Sequence, residues 1–165
     1  MTAREEIIIF LRTHPGSAIV DIAEAAGLSH ATARYHLAQL ESRRRALSER
    51  WGHRRFYFPP GFDAWERRVA TLLAPREGAA VLKAVAKEPW LHAREIARRE
   101  RLSRHTVAGY LRRFAALGLV ARAHEGRERY VVLERRASTT RRATALAEKL
   151  PRDHPGRAVL ERWRR

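Results

Sequence analysis

Residues 28–41 read LSHATARYHLAQLE, and residues 102–115 repeat the same plan as LSRHTVAGYLRRFA. The two stretches lie 74 residues apart, and the same offset relates residues 21–23 (DIA) to residues 95–97 (EIA). A constant offset over about 50 residues indicates two copies of one small domain. The order of elements within one copy therefore decides the fold.

Helix signals divide the first copy into three helices. Residues 3–13 are predicted to form the first helix, which a Pro-Gly pair then ends. Ser17 is predicted to cap a second helix over residues 18–26. Ser29 is predicted to cap a third helix over residues 30–43, whose apolar residues recur at spacings of three and four. This order predicts a three-helix unit.

A β-hairpin is predicted to follow the third helix. Residues 46–47 open it, residues 51–53 supply a polar turn, and the aromatic residues 55–58 form the returning strand. A Pro-Pro-Gly stretch at residues 59–61 ends the unit. The first domain is therefore predicted to span residues 1–61.

Three further segments complete the predicted organisation. An apolar stripe at helical spacing predicts a connecting helix over residues 62–75. The second domain is expected over residues 76–134, with its third helix over residues 104–116. Residues 135–165 form a strongly basic tail in which residues 139–150 favour a helix. Three alternatives are open for this tail: it packs on a domain, dimerises, or stays loose until it meets DNA.

The charge balance points to a polyanionic partner. The chain holds 34 Lys and Arg against 18 Asp and Glu, which gives a net charge of +16 and a pI near 11.6. Nucleic acid is the commonest intracellular polyanion. Most of the excess is arginine, whose planar fork donates two parallel hydrogen bonds to phosphate. Compositional drift in a GC-rich genome accounts for Arg in place of Lys but not for the excess over acids.

Several other classes of protein are disfavoured. The chain has no cysteine, which excludes disulfides and thiolate metal sites. No apolar run reaches membrane-spanning length, so no membrane association is expected and the protein is predicted to be cytoplasmic. The eight histidines are scattered, so no metal site is predicted. No phosphate-cradling glycine loop or nucleophile elbow is present, so neither a cofactor nor an enzyme activity is expected.

The second and third helices of each copy have the spacing of a helix-turn-helix. In that motif the second helix of the pair enters the major groove and the first lies across it. Ala23 and Ala97 are small enough to let the two helices approach each other. Gly27 permits a positive φ at the turn. Arg101 stands in the equivalent place of the second copy, so a different turn is expected there.

Contacts with DNA are expected from the recognition helices and from the hairpins, or wings. In the first copy the candidates are Ser29, His30, Thr32, Arg34, Tyr35, Gln39, Arg43, Arg44, Arg50, His53, Arg54 and Arg55. In the second copy they are Ser103, Arg104, His105, Thr106, Arg112, Arg113, Arg127 and Arg129. Gln reads adenine and Arg reads guanine through paired hydrogen bonds, and capped helix N-termini bind phosphate. Two glutamates beside the second wing predict that the first copy binds DNA more strongly.

Residues 28–41 resemble the recognition segment of winged helix-turn-helix regulators, among which the ArsR-like and MarR-like groups of prokaryotes are nearest. Residues 102–107 and 117–120 resemble a second occurrence of the same family. The resemblance implies helices plus a small wing. It places Thr32, Arg34, Gln39, Arg104 and Thr106 near base edges or phosphates. The first copy has Arg44-Arg45-Ala46 where the family has Gly-Leu-Val, so either its helix runs on or its wing is shifted.

The expected class is mainly α with small β-wings (α+β). The chain is predicted to hold two tandem winged helix-turn-helix domains joined by a helix, plus a basic C-terminal helical tail. The predicted function is double-stranded DNA binding and transcriptional regulation. A chromatin-like, nucleoid-associated protein of low sequence specificity is one alternative, and a winged-helix protein-interaction module is another. A homodimer is an open possibility, and no small-molecule effector is evident.

Overall fold

A computed structural model describes the backbone of residues 1–125 and 128–165. It describes the side chains of residues 1–123 and 131–165. Backbone contacts divide the chain into two compact units, Met1–Thr71 and Leu72–Arg165. The chain is mainly helical with small antiparallel sheets, which confirms the predicted fold class. In the described part of the chain, no helix is both long enough and apolar enough to span a membrane.

The first unit contains a helix-turn-helix and a three-stranded antiparallel sheet. Its elements are α1 (Ala3–Thr13), β1 (Ser17–Ala18), α2 (Ile19–Ala26), α3 (His30–Ser42), β2 (Leu47–Trp51) and β3 (Arg54–Phe58), followed by α4 (Ala64–Leu73). The strand order is β1-β3-β2. Strands β2 and β3 form the wing, in which Leu47 lies opposite Phe58 and Trp51 lies opposite Arg54.

Local signals explain where α1 begins and which face it buries. Thr2 and Glu5 form a capping box, in which each side chain accepts a hydrogen bond from the other residue's backbone N–H. Ile7 and Leu11 are fully buried. They pack in one core with apolar residues of α2 and α3 and with Tyr57 of the wing. This core fixes the position of α3, whose other face is exposed.

The second unit repeats the backbone of the first with the 74-residue offset. Its elements are α5 (Arg76–Lys87), α6 (Ala93–Glu100), α7 (Arg104–Ala116), β4 (Val120–Glu125), β5 (Glu128–Leu133), α8 (Ala137–Lys149), α9 (Pro155–Glu161) and a 3₁₀ turn (Arg162–Arg164). The bounds of α6 and α7 equal those of α2 and α3 shifted by 74 residues. A single bridge between Leu91 and Val131 takes the place of β1.

The sequence prediction was wrong about Ser17, which does not cap α2. Ser17 lies in β1, where it pairs with Tyr57 of β3. Its hydroxyl donates to the carbonyl oxygen of His14 at 2.6 Å, and Ala18 is the residue before α2. Sheet pairing holds this backbone in an extended conformation, so the residue that reads as a helix cap belongs to a strand.

The expectation of a different turn at Arg101 was also wrong. Gly27 and Arg101 both adopt the left-handed conformation, with φ values of 63° and 56°. In both units the backbone N–H at this position donates to carbonyl oxygens of the preceding helix. The turn between α2 and α3 therefore has the same backbone conformation as the turn between α6 and α7.

The first unit's recognition helix does not run on. Helix α3 ends at Ser42, and Arg44 has a φ of 55° before the wing begins at Leu47. In the second unit Gly118 has a φ of 74° at the matching position. The two chain reversals are therefore alike, although one uses arginine and the other glycine.

The tail packs within the second unit. As the helical pattern predicts, Ala143, Leu146 and Leu150 are buried. Trp163 is also buried, and its Nε1 donates to the carbonyl oxygen of Glu134 at 2.9 Å. Of the three alternatives for the tail, the structure favours packing on a domain, because these apolar side chains lose their contact with water there.

Candidate nucleic-acid interface

Helix α3 has an apolar face and a polar face. Ala33, Leu37 and Leu40 are buried against the core, at the spacings of three and four that place them on one side of the helix. Arg34 and Tyr35 lie on the exposed side, where Tyr35 keeps 57 % of its accessible surface. A free polar surface therefore runs along α3.

The N-terminus of α3 is capped by Ser29. The Ser29 hydroxyl accepts a hydrogen bond from the backbone N–H of Thr32 at 3.1 Å and donates one to the Thr32 hydroxyl at 2.8 Å. The other N–H groups of this first turn have no intrahelical acceptor, and they carry the positive end of the helix dipole. This end of α3 is suited to a phosphate oxygen.

Nearly all predicted contact residues of the first unit are on its surface. Those exposed are Ser29, His30, Thr32, Arg34, Tyr35, Arg43, Arg44, Arg50, His53, Arg54 and Arg55. Gln39 is half-buried. These positions leave the side chains accessible to a duplex, and their contact with DNA stays a prediction.

The wing holds two arginines directly opposite each other. Arg50 and Arg55 are cross-strand partners in the register of β2 and β3. Like charges in this position repel and destabilise the hairpin. Neighbouring groups partly offset this, because the Arg55 guanidinium donates to the Ser48 hydroxyl at 2.9 Å, which donates to Glu41 of α3 at 2.5 Å. This chain of hydrogen bonds ties the wing to the recognition helix.

A cleft of about 610 Å³ lies between α3, the start of α2 and the wing. His30 and Arg34 of α3 line one side, and Arg50, His53, Arg54 and Arg55 of the wing line another. Asp21 and Glu41 are its two acids. The cleft therefore carries more positive than negative charge, which suits an anionic ligand.

Tyr57 lies at the base of this cleft. Burial raises the pKa of Tyr57, and Glu41 raises it further against the opposing effect of Arg55. The hydroxyl is therefore protonated at neutral pH and adds no negative charge to the cleft. On the other side of the wing, Arg67 of α4 pairs with Glu49 of β2 at 3.2 Å and supports the hairpin.

In the second unit, α7 is capped in the same way as α3. The Ser103 hydroxyl accepts from the backbone N–H of Thr106 at 3.0 Å. Arg104, His105, Arg112 and Arg113 are exposed and Thr106 is half-buried. One Arg113 guanidinium nitrogen donates to the carbonyl oxygen of Gly109 at 3.0 Å. The predicted contact Arg127 lies outside the described residues, and so does the side chain of Arg129.

Helix α6 carries cations that the sequence reasoning missed. Arg94 and Arg98 line a cleft of about 560 Å³ beside Arg104 of α7. At the matching positions of α2 the first unit has Val20 and Glu24. The first helix of a helix-turn-helix lies across the DNA backbone. The change from Glu24 to Arg98 between the aligned copies was the signal that would have found this cluster.

Metal-binding side chains are not grouped in this region. Among the side chains of residues 1–123 and 131–165, no three His, Asp or Glu groups are placed to hold one metal ion.

A family model described as an N-terminal helix-turn-helix (HTH) domain matches residues 1–70 of the chain. The match supports a helix-turn-helix DNA-binding domain in this part of the chain. No curated protein matches the chain.

Proposed function

We propose that the protein regulates transcription by binding double-stranded DNA through two winged helix-turn-helix domains, in the manner of ArsR-like and MarR-like regulators. Helices α3 and α7 enter the major groove, and the wings and the basic tail hold backbone phosphates. The protein acts on nucleoid DNA in the cytoplasm. This role requires no catalytic chemistry, because recognition depends on hydrogen bonds and charge.

The observation that carries the proposal is the position of the two opposed wing arginines beside the recognition helix. Arg50 and Arg55 repel each other in the free protein. A phosphate or a narrow minor groove accepts both charges at once and relieves this repulsion. The Ser48 and Glu41 side chains link Arg55 to α3 through hydrogen bonds. When the wing arginines bind DNA, α3 is therefore held beside the neighbouring major groove.

The two units differ in where their cations lie, which gives them different tasks. In the first unit the cations are on α3 and the wing, so this unit reads bases and binds more strongly. In the second unit Arg94 and Arg98 of α6 add to Arg104 of α7. A cationic α6 holds the phosphate backbone across which the first helix of the motif lies. The second unit therefore contributes affinity more than specificity.

A second candidate function is an architectural protein that coats or compacts DNA. The net charge of +16 favours it, because contacts with phosphates carry no sequence information. A regulator prefers its site by several kcal/mol, whereas a coating protein shows little preference and a steep dependence on salt. The third alternative is a protein-interaction module. It is disfavoured because it gives no role to the exposed basic face of α3.

Selection of binding sites tests the proposed function. A random duplex library is enriched with the full chain, and the best site is compared with a scrambled duplex at two salt concentrations. We expect the selected site to bind at least a hundredfold more tightly. Arg34→Ala with Gln39→Ala reduces this ratio, whereas the matched surface change Arg68→Ala leaves it unchanged. A ratio near one would support the architectural role, and no binding to either duplex would refute both.

Genome-wide crosslinking then separates the two roles in the cell. Discrete peaks that share the selected motif identify a regulator and its targets. Even coverage across the genome identifies a chromatin-like protein.

A further inference from the structure

A groove on the second unit lies between α5 and α9 and is rich in cations. Its volume is about 460 Å³. Small apolar residues form its floor, namely Ala79, Ala80, Pro155, Ala158 and Val159. Four cations also line it, namely Arg76, Lys83, Arg162 and Arg165.

The positive charge of this groove is not compensated by acids. Glu161 is the one acid among its lining residues, and its Oε1 accepts from the Nε of Arg157 at 3.1 Å. Across the described ranges, no acidic side chain forms an ion pair with Arg76, Lys83 or Arg165. Uncompensated cations on one surface attract a polyanion.

The groove faces away from the recognition helix of its own unit. Gly78 of α5 lies against α7, because a Cβ atom built there would be 2.8 Å from Cε1 of Tyr110. Val81 is buried on the same side of α5. Arg76 and Lys83, seven residues apart, lie about 180° around the helix from that side at 100° per residue. The polar face of α7 and the groove are therefore on opposite surfaces of the unit.

We propose that this groove holds the backbone of a second DNA duplex, so that the second unit joins two duplexes. This inference rests on the proposed function, which places the first duplex on α7. Arg76 and Lys83 are separated by about 10 Å along α5, which matches about three steps of a DNA strand at 3.4 Å each.

The surrounding charge favours DNA over an acidic protein segment. Residues 135–165 contain ten basic residues and three acids. The tail that forms one side of the groove therefore carries a surplus of positive charge beyond the groove's own cations, which favours a long polyanion. A short acidic segment would need only the four cations that line the groove.

A two-duplex capture experiment with the full chain tests the proposal. One 30-base-pair duplex is fixed to beads, a second carries a fluorophore, and the captured fluorescence is measured as protein is added. The test variant is Arg76→Gln with Lys83→Gln. Both side chains are exposed, so the changes preserve the fold. The control is Arg12→Gln with Arg68→Gln, which removes the same charge from exposed positions outside the groove, the tail and the predicted DNA contacts.

We expect the wild-type chain to capture the second duplex and the test variant to capture at least tenfold less. The affinity of the test variant for a single duplex should change less than threefold. The control should capture the second duplex to within twofold of the wild type. Equal capture by the test variant would overturn the proposal, and would assign the joining to the two units or to a dimer. A wild-type chain that binds one duplex and captures no second would overturn it too, while leaving the proposed function standing. Binding to no duplex would refute both.

Poly-glutamate distinguishes the acidic-protein alternative. Under our proposal, the test variant loses duplex capture. If the variant instead loses binding to poly-glutamate and captures the second duplex normally, the groove belongs to an acidic protein partner and the proposal is wrong.

Discussion

Arg44 and Gly118 adopt the same left-handed backbone conformation at positions 74 residues apart, with φ values of 55° and 74°. Arg44 lies between α3 and β2, and Gly118 lies between α7 and β4. An L-residue in this conformation costs about 1 kcal/mol relative to glycine. The bend is therefore a property of the fold, which imposes it on arginine in one unit.

Two more pairs of positions behave in the same way. Gly16 and Trp90 have φ values of 86° and 71°, and Gly27 and Arg101 have values of 63° and 56°. In each pair one unit uses glycine and the other a large side chain. A constant backbone with exchanged residues is what a duplicated fold predicts, because the surrounding packing holds the strained residue in place.

Relief of this strain in the first unit yields the first prediction. Arg44→Gly raises the free energy of unfolding by about 0.5 to 1 kcal/mol, because glycine adopts a positive φ without a steric penalty. The same change weakens DNA binding, because a predicted phosphate contact is lost. Urea unfolding and a duplex titration measure the two effects.

The neighbouring residue supplies the control. Arg43 has a φ of −95°, so Arg43→Gly brings no relief and lowers stability through the greater freedom of the unfolded chain. Removal of either arginine takes away one charge. If both glycine variants were destabilised equally, strain at Arg44 would not be the cause.

Local signals made the helix-turn-helix predictable. Ser29 and Ser103 cap helices whose starts were predicted at His30 and Arg104. A cap and an apolar period act within a few residues, so sequence alone reveals them. The match between the two copies strengthened each assignment, because the same pattern occurs twice.

Features set by distant parts of the chain could not be predicted in this way. Ser17 resembles a helix cap, and it forms a strand only because Tyr57, 40 residues later, offers a pairing edge. The turn at Arg101 follows the packing of its helices and not its own preference. The cationic face of α6 is a different case, because the change from Glu24 to Arg98 between the two copies marks it in the sequence itself.

Acid should destabilise the second unit through His154. Its Nδ1 accepts from the backbone N–H of Gly156 at 3.0 Å, and its buried Nε2 has no partner among the described residues. Burial lowers the pKa of His154 to about 4, and the negative charge of Asp153 opposes this shift only in part. In the unfolded chain, His154 therefore binds a proton below pH 6.5. In the folded chain it stays neutral until the pH falls to about 4.

The stability contributed by neutral His154 is complete above pH 6.5 and is lost as pH falls towards 4. Between pH 7.5 and pH 5 this loss is about 2 kcal/mol. Urea unfolding at the two pH values measures it. His154→Asn keeps a helix cap without a titrating group, so the variant should lose about 2 kcal/mol less over this range. Equal losses in the two proteins would contradict the assignment.

The link between wing and recognition helix predicts a positioning role for Ser48. Ser48→Ala removes the hydroxyl that joins Arg55 to Glu41 and removes no charge. Affinity for a duplex should fall about threefold to tenfold, as expected for loss of one charge-assisted hydrogen bond. The slope of affinity against salt should stay the same, because the number of phosphate contacts is unchanged.

Ser42→Ala is the matched control for this effect. The Ser42 hydroxyl donates to the carbonyl oxygen of Gln39 within α3 at 2.8 Å and holds no wing residue. Its removal should leave affinity within twofold of the wild type. A change in the salt slope of Ser48→Ala would show that a phosphate contact had been lost, and the positioning role would be wrong.

The caps of the two recognition helices allow stability and binding to be separated. Aspartate is as good a cap as serine, so Ser29→Asp and Ser103→Asp should change the free energy of unfolding by less than about 0.5 kcal/mol. Each variant places a negative charge where a phosphate is expected to sit. The neutral caps Ser29→Asn and Ser103→Asn control for the change of side chain and should bind DNA normally.

The comparison of the two aspartate variants decides how the units share the duplex. We expect Ser29→Asp to lower affinity at least tenfold, because the first unit combines this helix end with the wing arginines. Ser103→Asp should lower it less, since Arg94 and Arg98 on the neighbouring helix offset part of the added charge. Equal losses would show that both units bind with the same strength. No effect of Ser103→Asp would remove α7 from the interface and leave the first unit as the reader of DNA.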